Sequence, residues 1–301
     1  MDLGLKGKKA IITGGSKGIG LASAHALADE GVDVAICSRN IDDVNSALDA
    51  LKGKGVNAIG GAVDVADGDA LKTWIASTIG DLGGLDILVP QVSAGGGNPS
   101  EDGWAANFQT DIMGTVRSVE ASLEALRASN GSIVIISTTT AIEQGPGSGP
   151  YGAVKAGLLN YSNHIAQTEG PNGVRSNVIC PGPIYIEGGP WNFIKDNMED
   201  FYNATLKSIP LGKYGSGEDI AKTVAVFSAF TEGLQLFASF AILLNFPRFN
   251  KMKGMGQIVT WSVRDETLHC NSMIRIFKEF IKENPEAVSY THLRAHETPE
   301  H

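Results

Sequence analysis

Apolar and polar residues follow two alternating patterns between about residue 9 and residue 229. Short runs rich in isoleucine, valine and alanine are typical of buried β-strands. Longer segments carry apolar residues three and four positions apart, which predicts amphipathic helices. The predicted strands are residues 10–13, 34–37, 57–60, 87–89, 132–136 and 176–179. The predicted helices are residues 19–30, 41–52, 69–79, 104–128 and 152–168, with a further helix that begins near residue 216.

This alternation indicates a parallel sheet, because consecutive parallel strands need a crossover and a helix provides it. Three segments rich in glycine and proline follow predicted strands, namely residues 94–99, 144–150 and 181–190. Doubly wound sheets bind their ligands in loops at the carboxyl ends of strands. We therefore predict an α/β fold with a doubly wound parallel sheet and a ligand site at that edge.

The pattern changes near residue 230. Beyond it the chain has long apolar and basic stretches without strand signals, and all but three of the 37 glycines lie before it. The longest apolar run, residues 234–246, is shorter than the roughly 20 residues that a membrane-spanning helix needs. We interpret the chain as two kinds of sequence joined without a linker, and expect no association with a membrane.

Composition narrows the class of protein. The 301 residues are 43% hydrophobic, enough for a sizeable core in one large or two smaller domains. The net charge of −9 argues against binding to nucleic acid or to anionic lipid. Cys37, Cys180 and Cys270 show no CxxC spacing, and the first residues lack the features of a signal peptide. We therefore expect a cytoplasmic protein.

Residues 13–20 read TGGSKGIG and connect the first predicted strand to the first predicted helix. Gly14 suits the positive φ of a tight turn, Gly18 leaves room for a pyrophosphate, and Gly20 lets the helix pack closely on the strand. The phosphates would meet unpaired amides at a helix N-terminus. This context favours a dinucleotide site; the alternative is a purely structural turn.

The end of the second predicted strand indicates which dinucleotide binds. Ser38 and Arg39 stand there, and no acidic residue is present to bind a ribose 2′-hydroxyl. Arg39 and Lys17 carry the charge that a 2′-phosphate requires, so we predict NADP(H) over NAD(H). The alternative is that both are ordinary surface charges. Asp64 and Val65, after the third strand, are candidates to flank the adenine or are ordinary loop residues.

Tyr151 and Lys155 form a YxxxK pattern at the start of a predicted helix, so both side chains lie on one face. A phenol has a reference pKa of about 10, which is high for acid–base work near neutrality, and a nearby ammonium lowers it. Upstream, strand 132–136 is followed by the hydroxyl-bearing residues 137–140.

TGxxxGxG, YxxxK and the strand ending VICPGP match the short-chain dehydrogenases/reductases in order and spacing, and residues 1–229 resemble that family. The resemblance implies a Rossmann-type sheet and NADPH-dependent reduction of a carbonyl to an alcohol, or the reverse. It implies that Tyr151 donates a proton to the substrate oxygen. Lys155 would hold the nicotinamide ribose and lower the phenol pKa, and Thr138 would take the place of the family's serine. The cofactor-binding residues it implies are Gly14, Ser16, Lys17, Gly18, Ile19, Gly20, Ser38, Arg39, Asp64, Val65, Tyr151, Lys155, Pro181, Gly182 and Ile184.

The substrate is a small carbonyl compound or alcohol on this resemblance, and a 3-oxoacyl thioester is one class that fits. Residues 183–211 should cover the pocket, where Trp191, Phe193 and Tyr202 suggest an apolar lid or simple packing.

Two positions depart from the family pattern. The usual Asn-Asn-Ala-Gly after the fourth strand is replaced by residues 90–93, Pro-Gln-Val-Ser. The asparagine common on the next helix is replaced by Asp111, whose carboxylate would hold a water against Lys155 in a proton relay. We interpret both changes as marks of a divergent branch.

Residues from about 230 to 287 resemble instead a fragment of the ribonucleotide reductase small subunit. On the matching positions, Glu232, Glu266 and His269 correspond to ligands of one iron, and Glu266 and His269 form ExxH on one helix face. The helices that would supply the other ligands are missing from the sequence, so we expect no specific metal site.

The expected organisation is therefore a chimera. Residues 1–229 form the NADP-binding domain without the family's usual last strand, residues 230–286 form a short all-helical fragment, and residues 287–301 resemble a translated sequencing adapter and form a disordered tail. A homo-oligomer is in doubt because the last strand is missing. Two alternatives stay open: a non-catalytic product that at most binds nucleotide, and a partial metal-binding fragment.

Overall fold

A computed structural model describes residues 3–96, 98–143 and 149–229. Six strands in this part of the chain form one parallel sheet. They are β1 (Lys9–Thr13), β2 (Asp33–Ser38), β3 (Ala58–Ala62), β4 (Ile87–Pro90), β5 (Ser132–Ile136) and β6 (Arg175–Ile179). Their order is β3-β2-β1-β4-β5-β6, so the direction of winding reverses between β1 and β4. Ligands of doubly wound sheets bind at that reversal.

Helices cover both faces of the sheet. They are α1 (Gly18–Asp29), α2 (Ile41–Lys52), α3 (Gly68–Leu82), α4 (Glu101–Asn107), α5 (Gly114–Ser129), α6 (Gly149–Glu169), α7 (Pro190–Asn197), α8 (Glu199–Ser208) and α9 (Gly217–Ala229). Helices α1, α2 and α9 contribute to the core on one face, and α3, α5 and α6 to the core on the other. The prediction of a doubly wound α/β fold is confirmed.

The alternation of side chains along β1 shows how both cores form. Ala10 and Ile12 belong to one apolar cluster and Ile11 belongs to the other, and all three are fully buried. A strand that is buried on both faces reads as an unbroken apolar run, which is why the sequence predicts these strands well.

Two regions differ from the prediction. The single helix expected over residues 104–128 is α4 and α5 joined by a π-helical segment, Phe108–Met113. The region expected to be a loop, residues 183–211, contains α7 and α8, and a two-residue strand β7 (Ile184–Tyr185) that pairs in parallel with β8 (Gly215–Ser216).

The predicted metal ligands Glu232, Glu266 and His269, and the tail from residue 287, lie outside the described residues. Within the described ranges, no group of three or more His, Cys, Asp or Glu side chains is placed to hold a metal ion. No helix in the same ranges is both long enough and apolar enough to cross a membrane.

Candidate active site

The glycine-rich turn between β1 and α1 is held against β2 and the segment after β4. The amides of Gly14 and Gly15 donate to the carbonyl of Cys37 at 2.9 and 3.2 Å. Gly14 has φ +70°, and a Cβ there would lie 2.0 Å from the carbonyl oxygen of Gln91. A Cβ on Gly20 would lie 2.2 Å from the carbonyl oxygen of Gly14. Only glycine fits at these two positions, as the sequence pattern predicts.

The N-terminus of α1 faces this turn. Lys17 occupies the N-cap with no capping hydrogen bond from its side chain, and the first turn holds no acidic residue. The amides of this turn and the helix dipole therefore favour an anion. The neighbouring Ser16 is 7% exposed, and Ile19 is partly buried against the core.

The two predicted phosphate-binding charges differ in their surroundings. Arg39 is exposed at the end of β2, next to Ser38, whose hydroxyl donates to the carbonyl of Asn40. Lys17 Nζ lies 2.8 Å from Asp43 Oδ2 in the first turn of α2. The Lys17 side chain is 72% exposed, and such surface pairs are weak. Lys17 is thus tethered to a carboxylate, which the sequence does not predict.

The two residues predicted to flank the adenine, Asp64 and Val65, differ in exposure. Asp64 is exposed and its carboxylate accepts a hydrogen bond from the amide of Ala66. Val65 is 6% exposed and belongs to a core cluster, and its side chain lies close to Gly114. The Val65 side chain therefore packs against α5, and the role of Val65 beside the adenine stays a prediction.

Tyr151, Lys155, Thr138 and Asp111 come from three elements and meet at the carboxyl end of the sheet. Lys155 Nζ donates to the carbonyls of Val92 (2.9 Å) and Ile136 (3.2 Å). It also lies 3.1 Å from Asp111 Oδ1, and the side chains of Lys155 and Asp111 are 4% and 0% exposed. The Lys155 ammonium is therefore enclosed by three acceptors.

Asp111 lies in the π-helical segment and faces two partners. Its Oδ2 accepts a hydrogen bond from the amide of Ala94 at 3.0 Å. Its Oδ1 is at ion-pair distance from Lys155 but has no partner with hydrogen-bond geometry among the described residues. The carboxylate thus contacts Lys155 directly, where the sequence analysis expects an intervening water. It also ties the segment after β4 to the lysine.

Burial is the largest cause of the pKa shifts of Lys155 and Tyr151. It lowers the pKa of the Lys155 ammonium, and the charge of Asp111 partly offsets that effect. The pKa of the Tyr151 phenol is raised, first by burial and also by the negative charge of Asp111, while a hydrogen bond from Thr138 lowers it. Lys155 Nζ is 5.9 Å from the centre of the Tyr151 ring. The expectation that Lys155 depresses the phenol pKa is not met, because burial and the Asp111 carboxylate act in the opposite direction.

Thr138 follows β5 and is 8% exposed. Its hydroxyl oxygen accepts hydrogen bonds from the amide and the hydroxyl of Thr140 at 3.3 and 3.2 Å. This leaves the proton of Thr138 for donation toward Tyr151. The preceding Ser137 donates to the carbonyl of Lys155 at 2.9 Å and so fixes α6 on β5. The hydroxyl run 137–140 marks Ser137 only as one of four candidates, and its contact with α6 does not follow from the sequence.

The segment after β6 closes the site on its other side. The carbonyl of Pro181 accepts from the amide of Thr139 at 2.9 Å, Gly182 is exposed, and Ile184 is half-buried in β7. An aromatic cluster follows, in which Tyr214 stacks with Tyr202 at 4.5 Å between ring centres. The other members of the cluster are Tyr185, Trp191 and Phe201. Phe193 is 64% exposed and lies apart from these contacts, so it does not complete the predicted lid.

Two family models match this chain. One is described as Enoyl-(Acyl carrier protein) reductase and matches residues 14–230. The other is described as Ribonucleotide reductase, small chain, and matches residues 193–294, so the two matches overlap.

Curated relatives and solved structures resemble the first 230 residues. Isoepoxydon dehydrogenase of Penicillium expansum is 35% identical over 237 residues, covering 76% of this chain and 90% of that protein. The 3-oxoacyl-(acyl-carrier-protein) reductase of Chlamydia pneumoniae is 31% identical over 234 residues, covering 76% and 92%. L-sorbose reductase from Gluconobacter frateurii, complexed with NADPH and L-sorbose, has a TM-score of 0.70 at 29% identity and covers 76% and 92%. NAD+-bound xylitol dehydrogenase has a TM-score of 0.72 at 23% identity, covers 75% and 94%, and shows the fold alone.

The glycine-rich turn, the sheet order and the Tyr151–Lys155 helix therefore agree with the family-model match over residues 14–230 and with relatives above 30% identity. The chain belongs to the short-chain dehydrogenase/reductase family of oxidoreductases.

Proposed function

We propose that this chain is an NADPH-dependent oxidoreductase that reduces a carbonyl to an alcohol, or catalyses the reverse reaction. One observation carries the proposal: the segment after β4 contacts both halves of the site. The carbonyl of Gln91 abuts Gly14 in the glycine-rich turn, and the carbonyl of Val92 accepts a hydrogen bond from Lys155. A dinucleotide held at the turn would thus extend toward Tyr151 and Thr138.

Each side chain has a role that its position supports. NADPH, when bound, supplies the hydride. Tyr151 gives its phenol proton to the carbonyl oxygen of the substrate, and the Thr138 hydroxyl polarises that oxygen. Lys155 would hold the nicotinamide ribose through the N–H of its ammonium that is not donated to the carbonyls of Val92 and Ile136. The raised pKa of Tyr151 keeps the phenol protonated, the form that a proton donor for reduction requires.

The preference for NADPH rests on charge. Arg39 is exposed where an adenosine 2′-phosphate would lie, and β2 ends without an acidic residue. Lys17 adds a second cation if it leaves Asp43. The solved L-sorbose reductase, complexed with NADPH, supports this choice.

For the substrate we propose a 3-oxoacyl thioester or a similar small carbonyl compound. The 31% identical relative named as a 3-oxoacyl-(acyl-carrier-protein) reductase supports this class. The half-buried rings of Trp191, Tyr202 and Tyr214 provide an apolar wall near β7 for the chain of such a substrate.

The test compares two tyrosines on the same helix. Purified protein is titrated with NADPH by fluorescence and assayed with a panel of carbonyl compounds. We expect Tyr151→Phe to bind NADPH normally and to lose at least about 100-fold in kcat, the usual contribution of a positioned acid. Tyr161→Phe, a half-buried control ten residues further along α6, should keep both. Failure to bind NADPH contradicts the proposal, and so does turnover that Tyr151→Phe leaves intact.

We also propose that residues 1–229 and residues from about 230 to 286 have different origins, the second being a fragment of a ribonucleotide reductase small subunit. The match to that family model at residues 193–294 supports this, and residues 3–229 form a compact unit of their own. Sequencing of the source DNA across codons 225–235 tests it. Recovery of an uninterrupted short-chain reductase sequence through this region would identify the junction as an assembly error.

A further inference from the structure

Asp111 stands where the family usually has an asparagine. Its carboxylate places a negative charge at that position, whereas an asparagine amide is neutral. We propose that Asp111 is a positioning residue that sets the pH at which Tyr151 exchanges its proton, by pairing directly with Lys155. The proposal rests on the proposed function, since it concerns the same tyrosine.

Geometry places the carboxylate where it acts on both groups. Asp111 is fully buried, and its Oδ1 lies 3.1 Å from Lys155 Nζ. Its other oxygen is fixed by the amide of Ala94, so the carboxylate cannot turn away without breaking that bond. The carboxylate and the ammonium together form a nearly neutral pair next to the phenol, whereas an asparagine leaves the ammonium charge unopposed.

Charged groups reach Tyr151 from two elements. Asp111 comes from the π-helical segment and Lys155 from α6 itself. The stretches 92–96, 137–142 and 180–186 contain no acidic or basic residue. The remaining titratable side chains on described segments around the site are each at least partly exposed. They are Glu101, Asp102, Glu143, Cys180 and Tyr185. Asp111 is therefore the buried anion among the described residues that bears on this phenol.

The direction of the effect follows from the charges. A buried carboxylate disfavours the phenolate, so it keeps Tyr151 protonated to a higher pH. When an amide replaces it, Lys155 keeps the carbonyls of Val92 and Ile136 as acceptors, and these two hydrogen bonds continue to favour its charged form. The phenolate then faces an unopposed cation and forms at lower pH.

The first experiment follows the pH profiles of kcat/KM for reduction and for oxidation in Asp111→Asn. We expect the alkaline limb of reduction and the acidic limb of oxidation both to move to lower pH by about one unit. The control is Asp86→Asn, because Asp86 also pairs with a lysine, Lys8, at the opposite ends of the strands. Its profile should match that of the unmodified enzyme. Limbs that stay in place or move to higher pH in Asp111→Asn overturn the proposal.

The second experiment measures the ionisation of Tyr151 directly and needs no catalytic turnover. Its result therefore does not depend on whether the proposed function is correct. Ultraviolet titration of ionised tyrosine in the unmodified protein, minus the same titration of Tyr151→Phe, gives the midpoint of Tyr151. We expect it above the ordinary phenol value of about 10 and expect Asp111→Asn to lower it. A midpoint below that value in the unmodified protein overturns the proposal even if the variant fails to fold.

Discussion

Arg39 and Lys17 are the two cations on which our proposal of a preference for NADPH rests. Arg39 stands free in solvent, whereas Lys17 is held by Asp43 at 2.8 Å. A 2′-phosphate must compete with that carboxylate for the lysine. On our proposal, the affinity for NADPH depends on Asp43 as well as on Arg39 and Lys17.

We expect Arg39→Ala to weaken NADPH binding about tenfold and to leave NADH binding nearly unchanged, because only the 2′-phosphate needs the guanidinium. Asp43→Asn should strengthen NADPH binding, because it frees Lys17. Fluorescence titrations with both cofactors measure these changes. Asp42→Asn, one residue earlier in the same turn, is the matched control. Equal losses for NADH and NADPH in Arg39→Ala would show that Arg39 does not read the phosphate.

The sequence patterns are enough to name the candidate site residues, but they do not predict how these residues pair. Spacing alone brings Tyr151 and Lys155 to one helix face. The direct contact of Asp111 with Lys155, and the tether of Lys17 to Asp43, depend on how α6, the π-helical segment and α2 pack in three dimensions. Local patterns carry no information on such contacts.

Helices α5 and α6 are joined at their C-terminal ends by a two-point contact. Arg127 Nε and Nη2 donate to the two carboxylate oxygens of Glu169 at 2.7 and 2.8 Å, and Asn172 donates to one of them at 3.0 Å. The hydrogen bonds from Arg127, and then from Asn172, hold the pKa of Glu169 below its ordinary value. This contact keeps α6, and thus Tyr151 and Lys155, in a fixed relation to α5.

We expect Glu169→Gln to lower the melting temperature by about 2 °C near neutral pH, since the pair is partly exposed. A depressed carboxyl pKa contributes stability above the unfolded-state value and loses it as pH falls through the folded-state value. The difference between variant and parent should therefore shrink in acid. Calorimetry at several pH values tests this, with Glu218→Gln, in an exposed pair with Lys222, as the control. A difference that does not change with pH would refute the assignment to this ion pair.

Buried elements match the sequence prediction better than exposed elements do. Strands such as β5 match the prediction because each residue is buried. Helices α7 and α8 escaped prediction because they are short, with 8 and 10 residues, and neither has a buried residue. The π-helical segment escaped it because a short run of apolar and polar residues does not distinguish π-helical from α-helical hydrogen bonding.

Burial of the whole sheet protects Cys37 at the end of β2. This side chain is fully buried between strands β1 and β3, and burial raises its thiol pKa to about 12. Cys180 is only half-buried. Reactivity of Cys37 therefore reports on opening of the molecule as a whole.

We expect N-ethylmaleimide to modify Cys37 at least about 100-fold more slowly than Cys180 in native buffer, because access needs much of the free energy of unfolding. In denaturant, modification of Cys37 should follow the loss of circular dichroism. Peptide mass spectrometry separates the cysteines. The Cys37→Ser protein, in which the corresponding signal must vanish, is the control. Rapid labelling of Cys37 in the native protein would contradict this account of the core.

The π-helical segment makes the site more sensitive to the deletion of a residue than to the substitution of one. An α-helix turns about 100° per residue, so an in-frame deletion of Ile112 would rotate the preceding residues, including Asp111, by about that angle relative to α5. Ile112 also lies against Gly157 on α6. Deletion of this one codon would therefore separate Asp111 from Lys155, although all four side chains of the site would still be present. A check of the identities of the site residues alone would not reveal the lost contact.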